Sequence, residues 1–328
     1  MTIRRRPLLL AAALAAPGTA SAQPAASPRW RPDRPIRAIV PFSPGGLADL
    51  MARLATEQAS ALLGQPIAVE NRTGGAGGLI GTDLVAKAAP DGYTILINSS
   101  AHAIAPALVA RMPYDAARDF AGIAVLAAAP MVLVCHPAVP ARTLGELLAL
   151  LRAHPGRYNF AAAGIGSTVH LTGEVFRAAA GVDIQFVHYR GGGPALQAVM
   201  GGEPQITAVS AAEALAQVRA GAVRALAVSV PARSPALPEV PTAAEAGLPA
   251  FRQDIWILAA APVRTPPDIV ASLNAAFNAA VRQIEPRLTE LGLEIKAEVA
   301  TPDQVDAFIR AELDRYAAVL RAAGVRPE

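Results

Sequence analysis

Glycine and hydroxyl residues gather in a few short loops of the chain, in an order that suits capture of a small anion. The first loop is Phe42-Ser43-Pro44-Gly45-Gly46-Leu47-Ala48-Asp49. Gly45 and Gly46 let a ligand approach the backbone closely, and Ser43 offers a hydroxyl. A second loop, Asn98-Ser99-Ser100-Ala101-His102, and a third, Gly164-Ile165-Gly166-Ser167-Thr168, follow other apolar runs, and Ser210 follows a fourth. The expected ligand-binding residues are Phe42, Ser43, Gly45, Gly46, Leu47, Ala48, Asp49, Ser99, Ser100, His102, Gly164, Gly166, Ser167, Thr168 and Ser210. No Lys or Arg is needed, because backbone N–H groups, hydroxyls and helix dipoles can hold a carboxylate, each charge-assisted bond contributing roughly 1.5–3 kcal/mol. The plainer reading of the first loop is a strand-to-helix turn with Asp49 as N-cap.

The elements that must carry these loops alternate along the chain. Strands are expected at residues 36–41, 67–70, 94–97, 158–162, 184–189, 206–209 and 225–230, with helices at 49–63, 79–88 and 142–153 and others starting near Thr168, Pro194 and Ala211. Strand feeding helix through a short loop is the pattern of a parallel α/β sheet, whose ligands sit beyond the carboxyl ends of the strands. Two extended apolar runs interrupt the alternation. Residues 123–136, broken by Pro130, and residues 253–260 read as crossings between two lobes, and residues 267–282 and 302–323 are strongly helical. This predicts a discontinuous first lobe, 35–130 plus 256–328, and a second lobe, 131–255. A chain of 328 residues has room for two such cores.

Residues 1–22 read as a secretion signal, with Arg4, Arg5 and Arg6, the apolar run Leu8 to Ala16, and Ala20-Ser21-Ala22 as a cleavage site. Residues 23–34 then form a leader expected to be poorly ordered. Removing the signal takes away three Arg and no acid, so the formal charge falls from +3 to zero. A basic footprint for nucleic acid is therefore unsupported, and no later apolar run is long enough to span a membrane. Cys135, the sole cysteine, lies in an apolar run and reads as core.

Enzymatic motifs are missing: there is no Gly-x-Ser-x-Gly elbow, no His-Glu-x-x-His, no Cys-pair metal site and no P-loop, and the glycines of 74–81 fit no dinucleotide fingerprint. The five histidines are scattered, and neither a metal nor a cofactor is expected. One catalytic alternative stays open, a hydrolase pairing Ser167 with His170 one helical turn away.

Several blocks together resemble the periplasmic substrate-binding proteins of tripartite tricarboxylate transporters, the Bug-type receptors. They are Val40-Pro41-Phe42-Ser43-Pro44-Gly45-Gly46 with Asp49, Val69-Glu70-Asn71-Arg72 before Gly74-Gly75-Ala76-Gly77-Gly78, and Pro90-Asp91-Gly92-Tyr93. Further on come His170-Leu171 with Gly173-Glu174, Tyr189-Arg190-Gly191 with Pro194-Ala195-Leu196, and Arg233-Ser234-Pro235 leading to Pro241-Thr242. The resemblance implies a type-II periplasmic-binding fold, two doubly wound lobes closing on a carboxylate held mainly by the first loop, often with ordered waters. It also implies a membrane permease as partner, with docking on a membrane sensor as the alternative role.

The chain departs from that pattern at three places. Ala48 stands where a hydroxyl residue usually precedes the loop Asp, Val209-Ser210-Ala211 replaces a Phe-Asp-Asn-like stretch, and Val169 replaces a polar residue before His170. An acidic partner for a ligand ammonium is then expected to be absent. The ligand is expected to be a monocarboxylate or aromatic acid with its apolar part near Phe42, Leu47 and Val169.

Overall fold

The computed structural model describes residues 30–296 and 299–322; the expected signal and the first part of the leader, residues 1–29, lie outside the described residues. In chain order the elements are β1 (Ile36–Val40), α1 (Leu47–Leu63), β2 (Ile67–Asn71), α2 (Leu79–Ala86), β3 (Thr94–Ser99), α3 (Ala101–Leu108) and β4 (Phe120–Cys135). There follow α4 (Leu144–Ala153), β5 (Asn159–Ala163), α5 (Thr168–Ala180), β6 (Gln185–Tyr189), α6 (Gly192–Met200), β7 (Ile206–Ser210), α7 (Ala211–Arg219) and β8 (Arg224–Val228). The chain then returns through β9 (Asp254–Pro262) to α8 (Pro267–Gln283), α9 (Glu285–Glu290) and α10 (Pro302–Ala322).

Hydrogen bonding runs through β2-β1-β3-β9-β4-β7-β5-β6, with β8 on β4. Two twisted sheets share the long strand β4. In the first, β1 pairs in parallel with β2 and β3, and β9 lies antiparallel between β3 and β4. In the second, β5 pairs in parallel with β6 and β7, and β4 runs antiparallel to β7 and β8. The central strands β3, β4 and β7 are buried almost throughout, as strands covered by helices on both faces must be. The expected two-lobed α/β architecture is what the chain adopts.

Four expectations need correction. Pro130 does not break its segment: β4 continues through it, opposite Asp254, and changes sheets between Pro130 and Met131. A proline is tolerated there because its missing N–H falls where one ladder ends and the next begins. Residues 98–102 are not a loop but the end of β3 and the start of α3, a helix buried along most of its length. The first helix begins at Leu47, with Gly46 and not Asp49 as N-cap. The last part of the leader, residues 30–34, is packed: the Trp30 ring lies 5.6 Å from the Tyr93 ring, the Arg34 guanidinium 3.6 Å above it, and the Tyr93 hydroxyl donates to Asp33.

Candidate functional site

Between the lobes lies a cavity of ≈ 40 Å³ lined by the first loop (Phe42, Ser43, Gly46, Leu47, Ala48), Ser99, Ala163, Ser167, Thr168, Val169, Gly191, Gly192, Glu213 and Ile255. Beside it lies an outer chamber of ≈ 420 Å³ between the glycine-rich segment 73–78 and Gly164, Tyr189 and Arg190. Phe42 and Ser167 border both spaces. A larger groove of ≈ 950 Å³ runs over the flank of the second lobe near Arg142, Arg224 and Pro241. It is open to solvent on one lobe and gathers none of the loops that follow the strands. The inner cavity is the better candidate, because both lobes and several helix starts converge on it.

The first loop is held in shape by a carboxylate that turns away from the cavity. Asp49 accepts hydrogen bonds from the Gly45 N–H (3.1 Å), from Arg53 through Nε (3.1 Å) and Nη2 (2.9 Å), and from Asn71 Nδ2 (3.0 Å), whose amide also bonds the Phe42 carbonyl (2.9 Å). Burial acts to raise the Asp49 carboxyl, but the bonds from Arg53, Gly45 and Asn71 outweigh it and hold the group below its ordinary value. Gly45 has φ 87°, a conformation that only glycine adopts freely. Asp49 and Gly45 thus shape the loop, while Ser43, Gly46, Leu47 and Ala48 face the ligand space.

Helix α1 starts at this loop with no side chain of its own as cap. The Leu47 N–H instead meets Glu213 Oε1 from the other lobe at 3.3 Å. Glu213 also completes a capping box on α7: its Oε2 accepts from the Ser210 N–H (3.1 Å) and hydroxyl (2.7 Å), and Ser210 Oγ accepts from the Glu213 N–H. Burial pushes the Glu213 carboxyl up, against the lowering pull of the Ser210 and Leu47 donors. Helix α6, starting at Gly192 after Gly191, likewise has no side-chain cap. An uncapped helix start offers unpaired N–H groups and the positive end of a dipole, which together attract an anion.

The remaining expected residues divide between lining and support. Ser99 and Thr168 border the cavity, and Ser167 borders it while capping α5 through the His170 N–H (3.1 Å). Ser100 is fully buried behind it, its hydroxyl 2.7 Å from that of Thr168, which ties the lobes together. Gly164 borders the outer chamber; Gly166, at φ 77°, packs against Gly77 and Ala105 of the first lobe. Ser210 acts through Glu213, without lining the cavity itself.

His102 is the misplaced member of the set. Its ring is wholly buried with Phe120 and Tyr114, its Nε2 hydrogen-bonds the Ala116 carbonyl (2.9 Å), and burial pulls its pKa down to about 4. The serine–histidine alternative gains no support, because Ser167 Oγ meets the His170 main-chain N–H while the ring faces Glu174 (3.6 Å), Phe186 and His188. Cys135 is buried and free, its thiol pushed up to about 11 by burial. Among the described residues no cluster of His, Cys, Asp or Glu could hold a metal ion, and no helix is long and apolar enough to cross a membrane.

Five lining residues, Ala163, Gly191, Gly192, Glu213 and Ile255, were not expected. The Ser210-x-x-Glu213 spacing marks Glu213 as a cap, but its reach across the cleft is a tertiary feature. It also puts an acid on the cavity wall, where an acidic partner for a ligand ammonium was expected to be absent.

Residues 51–325 match the tripartite tricarboxylate transporter family receptor. Among solved structures, the periplasmic binding protein BugD is 32% identical, covers 90% of this chain and 100% of its own, and superposes with a TM-score of 0.87. MatC from Rhodopseudomonas palustris, solved with bound malate, is 36% identical, covers 88% of this chain and 99% of its own, with a TM-score of 0.84. A second R. palustris protein, solved with adipate, is 33% identical, covers 90% and 99%, and has a TM-score of 0.86.

Proposed function

The chain belongs to the tripartite tricarboxylate transporter receptor family, and from that premise we propose that it is an exported receptor capturing a small organic carboxylate between its lobes. The observation that carries this reading is the convergence of two helix starts without a side-chain cap of their own, α1 and α6, with the hydroxyls of Ser99, Ser167 and Thr168 on one cavity between the lobes. Similar proteins solved with malate and adipate support a carboxylate as the class of ligand. Phe42, Leu47, Ala48, Val169 and Ile255 make much of the remaining wall, which favours an acid with an apolar body over a densely polar one. Residues 1–22 direct export to the periplasm with cleavage after Ala22, and the closed receptor hands its ligand to a two-subunit membrane permease.

Calorimetric titration with benzoate, adipate, malate, citrate and glutamate tests the ligand class. The expected order puts benzoate or adipate ahead of citrate and glutamate; tight citrate or glutamate binding with none of benzoate or adipate would contradict the apolar preference. Deleting the gene and measuring uptake of the bound acid tests the transport role. Lost uptake supports delivery to a permease, whereas normal uptake with a lost transcriptional response would assign the receptor to sensing.

A further inference from the structure

Resting on the carboxylate reading above, we propose that Glu213 is the specificity-determining residue of the cleft: its carboxylate occupies the place of a ligand carboxylate, and an acid enters only as Glu213 takes up a proton. The geometry is specific. Oε2 stays on its own helix start, bonded to Ser210, while Oε1 crosses the cleft to the Leu47 N–H. The same Oε1 lies against the start of α6, where a methyl group placed on Gly192 would stand 2.6 Å from it, and one on Gly46 3.5 Å. One carboxyl group therefore bonds the starts of α1 and α7 and lies against the start of α6, and α1 and α6 have no side-chain cap of their own.

Glu213 is also the one ionisable side chain among the described residues lining this cavity. The groups packed around it supply no compensating charge. Asp49 of α1 is turned to Arg53 and Asn71, α6 opens with Gly192-Gly193-Pro194, and Arg190 borders the outer chamber. Among the described residues no Lys or Arg forms an ion pair with Glu213. Two carboxylates so close together in a partly buried cleft cannot both stay ionised. The economical outcome takes one proton from bulk water onto Glu213 Oε1. The resulting acid donates to a ligand oxygen, and the Leu47 N–H passes from Glu213 to the ligand. The burial that raises the Glu213 carboxyl favours this uptake.

The test is calorimetry with benzoate, malate and adipate between about pH 6.5 and 8.5, where all three acids are ionised, in buffers of different ionisation enthalpy. Wild-type protein is expected to take up close to one proton per ligand, and its affinity to fall by up to about tenfold per pH unit. Glu213→Gln keeps the cap, since glutamine serves in a capping box; it is expected to bind with little pH dependence and at least about tenfold tighter than wild type at the upper pH. Proton-independent binding by wild type, or weaker binding by Glu213→Gln, overturns the role of Glu213 while leaving the carboxylate reading intact. If neither form binds any of the three acids, both fall together.

Discussion

Asp49 and Glu213 are two carboxylates at the same loop with opposite duties, and the difference follows from their neighbours. Asp49 has a guanidinium, an amide and a main-chain N–H around it and stays charged as a brace. Replacing it with Ala should cost about 1–3 kcal/mol, towards the lower end because Arg53 is half exposed and its bond is screened. Urea unfolding measures this, and ligand affinity should drop as well, because the loop loses its shape. Since the folded-state value of Asp49 is depressed, its contribution is complete above its unfolded pKa near 3.8 and disappears as pH falls through the lower folded value. The Ala variant should therefore lose less stability than wild type on acidification below about pH 4. At this scale the sequence was only partly legible. Glycine and hydroxyl loops after strands pointed to Ser43, Ser99, Ser167 and Thr168, all of which border the cavity. The same rule swept in His102, because nothing local tells a ring that follows a strand from one buried beside Phe120.

At the scale of elements, the start of α6 lies against the first loop across the cleft. Gly193 lies one residue inside α6 without a positive φ, and the nearest atoms to a methyl group there belong to the opposite lobe: the Gly45 carbonyl oxygen at 3.3 Å, its carbon at 3.5 Å and the Gly46 nitrogen at 3.7 Å. A larger side chain at this position presses first against the opposite lobe. Gly193→Leu should leave the unliganded melting temperature within a few degrees of wild type and weaken ligand binding by at least about tenfold, read by calorimetry. A melting temperature that collapses together with binding would instead mean that the glycine serves the folding of α6. Elements were the most readable level of the sequence. Period-two and period-3.6 patterns located most strands and helices to within a few residues. Helix α3 escaped because it is buried on most sides and contains Pro106, so no polar face marks its turn. The single long strand β4 escaped because a proline usually ends a strand, and only its sheet-changing position makes Pro130 acceptable.

For the whole molecule, the continuous strand β4 and the returning strand β9 link two sheets whose helices meet over one cleft. Where the chain passes between sheets, Ser229 Oγ accepts from the Met131 N–H (3.0 Å) and donates to the Gln253 carbonyl, and Gln253 Nε2 reaches the Tyr316 hydroxyl (3.2 Å). These bonds fasten the crossing itself, and across the cleft the lobes are joined by hydrogen bonds from Ser43 to the Arg190 carbonyl (3.3 Å), from Leu47 to Glu213, and between Ser100 and Thr168. Each is a single hydrogen bond of modest net strength, which leaves a ligand that bonds to both lobes able to decide the balance. Two lobes were legible from length and from the two extended apolar runs. The contacts that close them join residues far apart in the chain, and no local pattern encodes those.

The most direct test of the central claim is a thermal-shift series on residues 23–328 with mono-, di- and tricarboxylates, aromatic acids, amino acids and neutral sugars. A ligand that binds only the folded protein stabilises it by about 2.7 kcal/mol at a hundredfold excess over its dissociation constant, enough for a shift of roughly 5 °C in a chain of this size. The account predicts such a shift with at least one carboxylate, most strongly with one that carries an apolar body, and none with the sugars. Stabilisation by a sugar or another uncharged solute, with every carboxylate inert, would contradict it.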